Sequence, residues 1–480
     1  MNYKIVRYFL GKIMIILSAL MLLPMAVSLY YGENIILYYI IPMACLAAFG
    51  GICLVKKPKN NNFHIREGFL ICALSWIIMS AFGALPFFLS GWIPSYTDAF
   101  FETVSGFTTT GSTILTDIES LPKSLLFWRC FTHWIGGMGV LVFALAILSQ
   151  KDGKSLYIMK AEVPGPKVGK LVSKTRFTAR ILYGIYIGMT VLEVIFLLAG
   201  RMPLFDSVTT AMSTAGTGGF SPRNASIAFY NSRYIEYTVA IFALLFGVNF
   251  TLFYCVLIRN FKEIFKNEEL KWYFIIVAAA TLIIWKDIYP LYHSLEDSFR
   301  ASFFQVSSMI TTAGFSTVNI NKWPELSQLI LVLLMFSGAC AGSTGGGLKV
   351  ARVMMLIKSA IREIKRAINP KSVISVKIDS HPVDEVLLSS TGAYFIVYML
   401  LLTISAMLIS LDKNLSFVET ITSVITCMNN VGPGLERIGT VGNFAYLSDL
   451  SKWVLSFDML AGRLELYPII ILFLPSFWRK

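Results

Sequence analysis

The stretch Thr311-Thr312-Ala313-Gly314-Phe315-Ser316 is a short elbow of polar and glycine residues that directly follows an apolar run. Three further stretches of the same kind occur elsewhere in the chain. They are Thr108-Thr109-Thr110-Gly111-Ser112-Thr113, Gly216-Thr217-Gly218-Gly219-Phe220-Ser221 and Asn429-Asn430-Val431-Gly432-Pro433-Gly434. Glycine takes positive φ without steric cost, so each elbow is predicted to be a sharp loop with exposed backbone.

The residues thirteen positions before the four elbow glycines are also alike. They are acidic in three of the four cases, and the set is Asp98, Asp206, Ala301 and Glu419. Acidic side chains suit the N-terminus of a helix, where unpaired N–H groups and the macrodipole favour negative charge. Each elbow is therefore predicted to end a short helix.

One such elbow in an apolar chain usually marks close packing of small residues between helices. Four elbows in register indicate instead four helix–loop–helix units around one axis. Loop carbonyls in such an arrangement could replace the water around a cation.

Composition indicates a membrane protein. The chain has 480 residues, of which 56% are hydrophobic and 14% charged, which is too few charges for a soluble surface. Apolar runs such as 13–29 and 274–285 with their flanks are long enough to span a bilayer. No small-residue cleavage site follows the first run, so it is predicted to be a retained span.

The predicted fold is an all-α polytopic membrane protein of about ten spans around a central pore. A transmembrane hairpin (8–31 and 34–55) occupies residues 1–60, and four span–half-helix–span repeats occupy 61–160, 161–265, 266–375 and 376–480. The half-helices are placed at 97–108, 205–215, 298–311 and 416–428. The flanking spans are placed at 68–90, 124–149, 178–200, 234–259, 272–292, 325–365, 385–410 and 448–477.

The positive charge fits this topology. Most of the 41 lysines and arginines fall in the predicted cytoplasmic segments, which are the N-terminus, 56–66, 151–180, 259–271, 349–377 and the C-terminal tail. Both termini are then cytoplasmic, and the net charge of +13 needs no nucleic acid as partner. The segments 151–180 and 349–377 could also dock anionic lipid or a cytosolic partner.

Enzyme chemistry has little support in the sequence. The seven cysteines are scattered without a CxxC pair, and the four histidines form no metal-binding motif. No nucleophile–base pair is evident, and the chain has no GxGxxG motif of its own. The chain is therefore predicted not to be an enzyme and to bind no cofactor.

The elbows carry threonine, asparagine and glycine but no acid or base, which favours a cation filter built from backbone carbonyls. Irregular backbone at membrane depth is tolerated where it lines water, and the negative end of each half-helix favours a cation at the centre. The fourth elbow departs most from the others. The candidate filter residues are Thr109, Thr110, Gly111, Thr217, Gly218, Gly219, Thr312, Ala313, Gly314, Asn430, Val431 and Gly432.

A second glycine-rich stretch, Gly338 to Lys349, interrupts a long apolar run and is predicted to break that helix. It does not match a Walker loop, because Leu348 precedes Lys349. Close packing of small residues is one interpretation, and a mobile intramembrane loop that obstructs ions is the other. The candidate gate residues are Gly342, Ser343, Thr344, Gly345, Gly346, Gly347 and Lys349, with Arg352 near the cytoplasmic end.

Arg463 lies inside the last predicted span, where an arginine is costly and normally faces a cavity or a partner. Snorkelling, or a pair with Glu465 or Asp458, is the alternative. Arg129 is expected at a membrane interface, and His133 as a packed polar residue. Asn249 could satisfy backbone groups around the loops.

The arrangement resembles the Trk/Ktr/HKT superfamily of potassium transporters over essentially the whole chain. The strings TTTGST, GTGGFS, TTAGFST and NNVGPG are similar to its four filter loops, and the leading hairpin is similar to the bacterial TrkH type. Plant members with serine in place of the first glycine tend to favour sodium, so Gly111 implies potassium. The resemblance also implies a gating loop in the third repeat with an arginine beside it, at the place of Arg463. It implies a homodimer, a cytosolic nucleotide-binding TrkA-like subunit and a bacterial cytoplasmic membrane.

A Na⁺- or H⁺-coupled symporter on the same scaffold is the alternative within transport. It would favour a titratable acid embedded on the ion path, whereas the acids at 98, 206 and 419 are predicted near the outer surface. A purely structural membrane protein would not need four elbows in register.

Overall fold

The computed structural model describes residues 1–56, 58, 65–139 and 175–479. Helices form nearly all of its regular structure. The strands found among these residues are Lys377–Ile378 and His381–Pro382, which pair antiparallel in one short hairpin. The all-α prediction is confirmed.

Six helical stretches in the described part of the chain are long and apolar enough to cross a membrane: Tyr3–Tyr30, Ile36–Leu54, Ile65–Leu89, Ala179–Ala199, Glu268–Tyr292 and Glu385–Ile409. The number rises to seven if the helices Arg233–Phe246 and Phe250–Leu257, which meet at 94°, count as one span. The chain is thus a polytopic membrane protein, and the total of ten spans stays a prediction.

The leading hairpin forms as expected. Helices Tyr3–Leu20 and Leu22–Tyr30 run one way, and Ile36–Leu54 returns against them. The crossing is close because it has glycine on both sides. A methyl group built on Gly11 would lie 2.9 Å from the carbonyl oxygen of Gly50, and the reverse distance is also 2.9 Å.

Four short helices precede the four elbows, as predicted. We call them half-helices 1 to 4, and they are Tyr96–Phe107, Leu204–Gly216, Leu295–Ile310 and Phe417–Asn429. A serine at the N-cap starts three of them, since its hydroxyl accepts the N–H three residues on; these serines are Ser95, Ser294 and Ser416. The N-cap of half-helix 2 is Pro203, whose side chain makes no capping hydrogen bond.

The helices that follow the elbows arrange the half-helices in a ring. Each such helix contacts its own half-helix and the next one in the chain, and the last returns to the first. The contacts are Lys123–Gly137 with half-helices 1 and 2, Arg233–Phe246 with 2 and 3, Glu325–Ser337 with 3 and 4, and Asp449–Arg463 with 4 and 1. The elbows at the ends of the half-helices are thereby brought to one axis.

The predicted break in the glycine-rich stretch is present. Helix Glu325–Ser337 ends there, and helix Val350–Ile368 begins after a loop over residues 338–349, which we call the intramembrane loop. The remaining helices are short: Phe261–Lys266, Tyr467–Ile470 and Pro475–Trp478, with 3₁₀ turns at Ser226–Tyr230, Ile320–Lys322, Glu436–Ile438 and Ile471–Phe473.

Two spans that the sequence predicted as continuous are broken. The span predicted at 234–259 bends between Phe246 and Phe250, and Asn249 caps the new helix. The span predicted at 448–477 ends at Arg463, because Glu465 and Leu466 take positive φ. Of the span predicted at 124–149, the structure describes helix Lys123–Gly137. The boundary predicted at 160/161, and most of the basic segment 151–180, lie outside the described residues.

Candidate functional site

The four elbows have one backbone conformation. In each, two residues take positive φ with a single residue between them, and the second is the glycine. The pairs are Thr109 (56°) with Gly111 (86°), Thr217 (55°) with Gly219 (80°), Thr312 (60°) with Gly314 (72°), and Asn430 (55°) with Gly432 (104°). Positive φ costs of the order of 1–3 kcal/mol at a residue other than glycine, so the surrounding structure must hold this shape. The fourth elbow shares it despite its different side chains.

The elbow glycines form a closed ring in which each packs against the carbonyl of a neighbouring elbow. A methyl group built on Gly111 would lie 2.0 Å from the oxygen of Gly218, and one on Gly219 would lie 2.2 Å from that of Ala313. The corresponding distances are 2.1 Å from Gly314 to Val431 and 2.8 Å from Gly432 to Thr110. No side chain fits at these four positions, and the four carbonyls lie at the contacts between elbows.

Side chains close the ring between the first and fourth elbows. The hydroxyl of Ser112 donates to the carbonyl oxygen of Gly432 at 2.9 Å. Asn430 donates to the hydroxyl oxygen of Thr110 at 3.0 Å and to the carbonyl of Met459 at 2.9 Å. These hydrogen bonds link the first elbow to the fourth, although the two lie at opposite ends of the sequence pattern.

Arg129 is not at a membrane interface, so that expectation is wrong. Its side chain is 2% exposed and lies behind the first two elbows. Its Nε is 2.5 Å from Glu102, its Nη1 donates to the carbonyl of Ser221 at 3.0 Å, and its guanidinium lies 3.6 Å from the centre of the Phe220 ring. Glu102 also accepts the N–H of Ile114 at 3.0 Å. The buried pair therefore holds the segments that follow both elbows.

His133 is a packed polar residue, as expected. Its Nδ1 donates to the carbonyl oxygen of Gly106 at 2.7 Å. Its ring fills the space beside Gly218, where a methyl group would lie 2.5 Å from the imidazole. His133 thus supports the second elbow from behind.

The acids predicted at the starts of the half-helices are each paired with a base that the sequence analysis did not single out. Asp98 lies 2.5 Å from Lys452, Asp206 lies 2.9 Å from Arg223, and Glu419 lies 2.6 Å from Arg437. Hydrogen bonds from Arg437 are the main reason that the pKa of Glu419 is lowered. Arg223 lies four residues after the elbow glycine Gly219, and Arg437 lies five residues after Gly432. An arginine at this distance from an elbow glycine is the sequence pattern by which these partners could have been predicted.

A cavity of about 150 Å³ opens on one side of the ring. It is lined by all four elbow glycines and by residues that follow them in the chain, such as Ser112, Ser221 and Ser316. Arg129 and Arg223 also reach its wall. Arg223 pairs with Asp206, so this side of the ring forms a polar mouth.

The intramembrane loop covers the other side of the ring. A methyl group on Gly345 would lie 2.8 Å from the carbonyl oxygen of Thr311, and one on Gly346 would lie 2.2 Å from that of Asn429. The N–H of Gly346 donates to the hydroxyl of Thr312 at 2.7 Å. The loop is therefore packed directly under the third and fourth elbows.

The bend between helices Arg233–Phe246 and Phe250–Leu257 is stabilised by hydrogen bonds to the intramembrane loop. The carbonyl of Gly247 accepts the N–H of Cys340 at 3.0 Å, and the N–H of Phe250 donates to Gly342 at 3.1 Å. Backbone groups freed by the break are thus satisfied by the loop. Asn249 accepts the N–H of Thr251 at 2.9 Å, so its hydrogen bond serves its own helix rather than an elbow.

Two cations lie at the intramembrane loop: Lys349 is its last residue, and Arg463 contacts it from helix Asp449–Arg463. Arg463 donates to the carbonyl oxygens of Thr344 and Gly137, each at 2.7 Å. Lys349 donates to the carbonyl of Gly345 and is buried. Glu465, the partner considered for Arg463, pairs with Arg352 at 2.5 Å, and Asp458 accepts a hydrogen bond from Ser405 at 2.7 Å.

A ring of backbone elbows inside a bundle of apolar spans defines a polytopic membrane protein with re-entrant loops. A model of the TrkH family, described as cation transport protein, matches residues 39–480. The chain belongs to this family.

Curated relatives match over the full length. The Trk system potassium uptake protein TrkH of Salmonella typhimurium is 36% identical and aligns over 100% of both chains. The Trk system potassium uptake protein TrkG of Escherichia coli is 34% identical, and the alignment covers 100% of this chain and 99% of TrkG. The crystal structure of the potassium transporter TrkH from Vibrio parahaemolyticus superposes with a TM-score of 0.90, at 31% identity and full coverage of both chains. The family is one of transporters.

Proposed function

We propose that this chain is the membrane subunit of a potassium uptake system and that K⁺ passes through the ring of elbows. The observation that carries the proposal is the closed ring itself, in which each glycine packs on the carbonyl of a neighbouring elbow. The names of the full-length relatives support potassium as the ion. Gly111 also supports potassium, because plant members of the superfamily with serine in place of this first glycine tend to favour sodium.

The ring would act as a filter because carbonyl oxygens can replace the hydration shell of a cation. The four carbonyls at the contacts between elbows belong to Thr110, Gly218, Ala313 and Val431. Each half-helix ends just before its elbow, so four negative dipole ends point toward the ring and favour a cation there. The tight glycine contacts hold the oxygens at fixed separations.

The intramembrane loop would act as the gate. It lies against the third and fourth elbows, and the positive charges of Arg463 and Lys349 beside it raise a barrier to cations. Opening requires the loop to leave the elbows, which breaks the bond from Gly346 to Thr312 and the bond from Arg463 to Thr344.

The gate would be controlled from outside this chain. We propose a homodimer in the bacterial cytoplasmic membrane, with both termini cytoplasmic and with a TrkA-like nucleotide-binding subunit below it. K⁺ is then the transported ion, and the chain itself binds no cofactor. The words "Trk system" in the names of the relatives support an assembly of several components.

The test is ⁸⁶Rb⁺ uptake into liposomes that hold only this chain, with excess K⁺ or Na⁺ as competitor. We expect K⁺ and not Na⁺ to suppress uptake. Gly346→Ala is measured in parallel because its methyl group would push the loop off Asn429, so that a closed gate is not mistaken for an absent pore. Equal suppression by both ions, or no uptake by either protein, contradicts the proposal.

A further inference from the structure

Glu269 connects the two ends of the intramembrane loop through a single carboxylate oxygen. Its Oε1 accepts the N–H of Ala341 at 2.6 Å and the N–H of Ala351 at 3.2 Å. Ala341 precedes the glycine run of the loop, and Ala351 lies in the first turn of helix Val350–Ile368. Glu269 itself stands at the start of the span Glu268–Tyr292 and is 8% exposed.

Both of these N–H groups need the carboxylate. An amide in the first turn of a helix has no acceptor within the helix, and negative charge is favoured at that end. Hydrogen bonds to an ionised acceptor are also about twice as strong as neutral ones. Without Glu269 the N–H of Ala341 would stay unpaired in the packed loop and would regain a partner only by meeting water.

We infer that Glu269 is a positioning residue of the gate, which keeps the intramembrane loop against the elbows by holding both of its ends. The inference rests on the proposed function of the loop. The neighbouring Glu268 pairs with Lys358 and exchanges hydrogen bonds with Asp379 through its own N–H (2.7 Å) and its carboxylate (3.3 Å). Because Glu268 and Glu269 are adjacent, a movement of Lys358 or Asp379 is transmitted to Glu269 through one peptide unit.

The loop is also closed by bonds that do not involve Glu269. Val350 donates to the carbonyl of Ala339, and Leu348 to that of Phe336, each at 3.1 Å. Removing Glu269 should therefore release the loop from its closed position without unfolding it.

The experiment uses the full chain in liposomes and compares Glu269→Ala and Glu269→Gln with the wild type. Glu263→Ala is the matched control, because Glu263 is an exposed glutamate six residues earlier. Two quantities are measured: the rate at which a water-soluble thiol reagent modifies Cys340, which is buried inside the loop, and the probability that single K⁺ channels are open. Cys340 modification needs no ion flux, so it tests the loop even if the proposed function fails.

Loss of the two hydrogen bonds to the carboxylate should raise both quantities by at least about tenfold in Glu269→Ala. Glu269→Gln keeps an acceptor oxygen but no charge, so a smaller rise is expected. Unit conductance and the K⁺/Na⁺ permeability ratio should not change, which separates a loop effect from damage to the ring. Wild-type Cys340 modification in both variants overturns the inference, and if Glu269→Ala does not fold, wild-type behaviour of Glu269→Gln overturns it. Currents that do not discriminate K⁺ from Na⁺ in the wild type would contradict the proposed function instead.

Discussion

Nη1 of Arg463 lies 2.7 Å from the carbonyl oxygen of Thr344, so the helix that follows the fourth elbow holds the loop that lies under the ring. The same guanidinium donates to Gly137, at the end of the helix that follows the first elbow. One side chain therefore connects the loop to two of the helices that surround the ring. In the proposed gate, its charge and its hydrogen bonds would make separate contributions to closure.

Replacement of Arg463 separates these contributions. Arg463→Gln removes the charge and shortens the hydrogen-bonding reach, so we expect a higher basal Rb⁺ flux without a regulatory subunit. Arg463→Lys keeps the charge but cannot donate to Thr344 and Gly137 together. Its Rb⁺ flux should therefore lie between that of the wild type and that of Arg463→Gln. Uptake by liposomes measures both. A wild-type flux in Arg463→Gln would remove this residue from the gate.

The elbow glycines should not tolerate a side chain without loss of selectivity. Gly314→Ser would place its Cβ 2.1 Å from the carbonyl oxygen of Val431, and Gly111→Ser would meet Gly218 at 2.0 Å. The displaced carbonyls should lower the K⁺/Na⁺ permeability ratio by about tenfold, which corresponds to 1.4 kcal/mol of discrimination. Bi-ionic reversal potentials measure the ratio. Gly188→Ser is the control, because nothing lies within 4 Å of a methyl group there, and unchanged selectivity in both elbow variants refutes the filter assignment.

Shortening the intramembrane loop should also raise the basal flux. Deletion of Gly345 and Gly346 removes the two residues that touch Thr311 and Asn429, so the loop can no longer cover the elbows. Uptake of ⁸⁶Rb⁺ without a regulatory subunit should increase while K⁺ still outcompetes Na⁺. If selectivity is lost together with closure, the loop is part of the filter rather than a gate below it.

The buried pair of Glu102 and Arg129 should be a major support of the ring. Glu102→Gln leaves the guanidinium of Arg129 buried without a counter-charge, which typically costs about 3–5 kcal/mol. The thermal midpoint in detergent should fall clearly, and the double variant Glu102→Gln, Arg129→Leu should lose less than the two single changes together. The exposed pair of Arg233 and Glu296 is the comparison, since breaking such a pair changes stability by less than about 1 kcal/mol. Equal shifts for both pairs would contradict this role.

Much of this architecture follows from local patterns in the sequence. The half-helices lie within about three residues of their predicted places, because elbow glycines mark their ends and, in three of the four, an acid marks the start. The break at Gly338 follows from the low helix propensity of a glycine run. Hydrophobic length was sufficient to predict the leading hairpin.

Contacts between distant segments could not be predicted in this way. The bend before Phe250 depends on hydrogen bonds to Cys340 and Gly342, which lie about ninety residues further along the chain. Arg129 resembled an interfacial arginine because its partner Glu102 lies on another helix. Positive φ at Thr109, Thr217 and Thr312 is imposed by the ring and is not a preference of threonine, whereas asparagine, at Asn430, adopts it more readily.

Acids within the spans were also underestimated. The sequence places Asp98, Asp206 and Glu419 near the outer surface, yet the structure also buries Asp458 and Glu193 completely. The hydrogen bond that Asp458 accepts comes from Ser405, on the span Glu385–Ile409, and not from an elbow. Asp458 is therefore held by a flanking span and does not identify a coupling site on the ring.

The most direct test of the filter is the position of the ion. Crystals grown with Rb⁺ or Tl⁺ in place of K⁺ would reveal bound cations by anomalous scattering. We expect a peak on the axis of the ring, at coordinating distance from the carbonyl oxygens of Thr110, Gly218, Ala313 and Val431, and a weaker peak there in Gly314→Ser. A cation bound elsewhere in the spans, with the ring empty, would contradict the filter assignment.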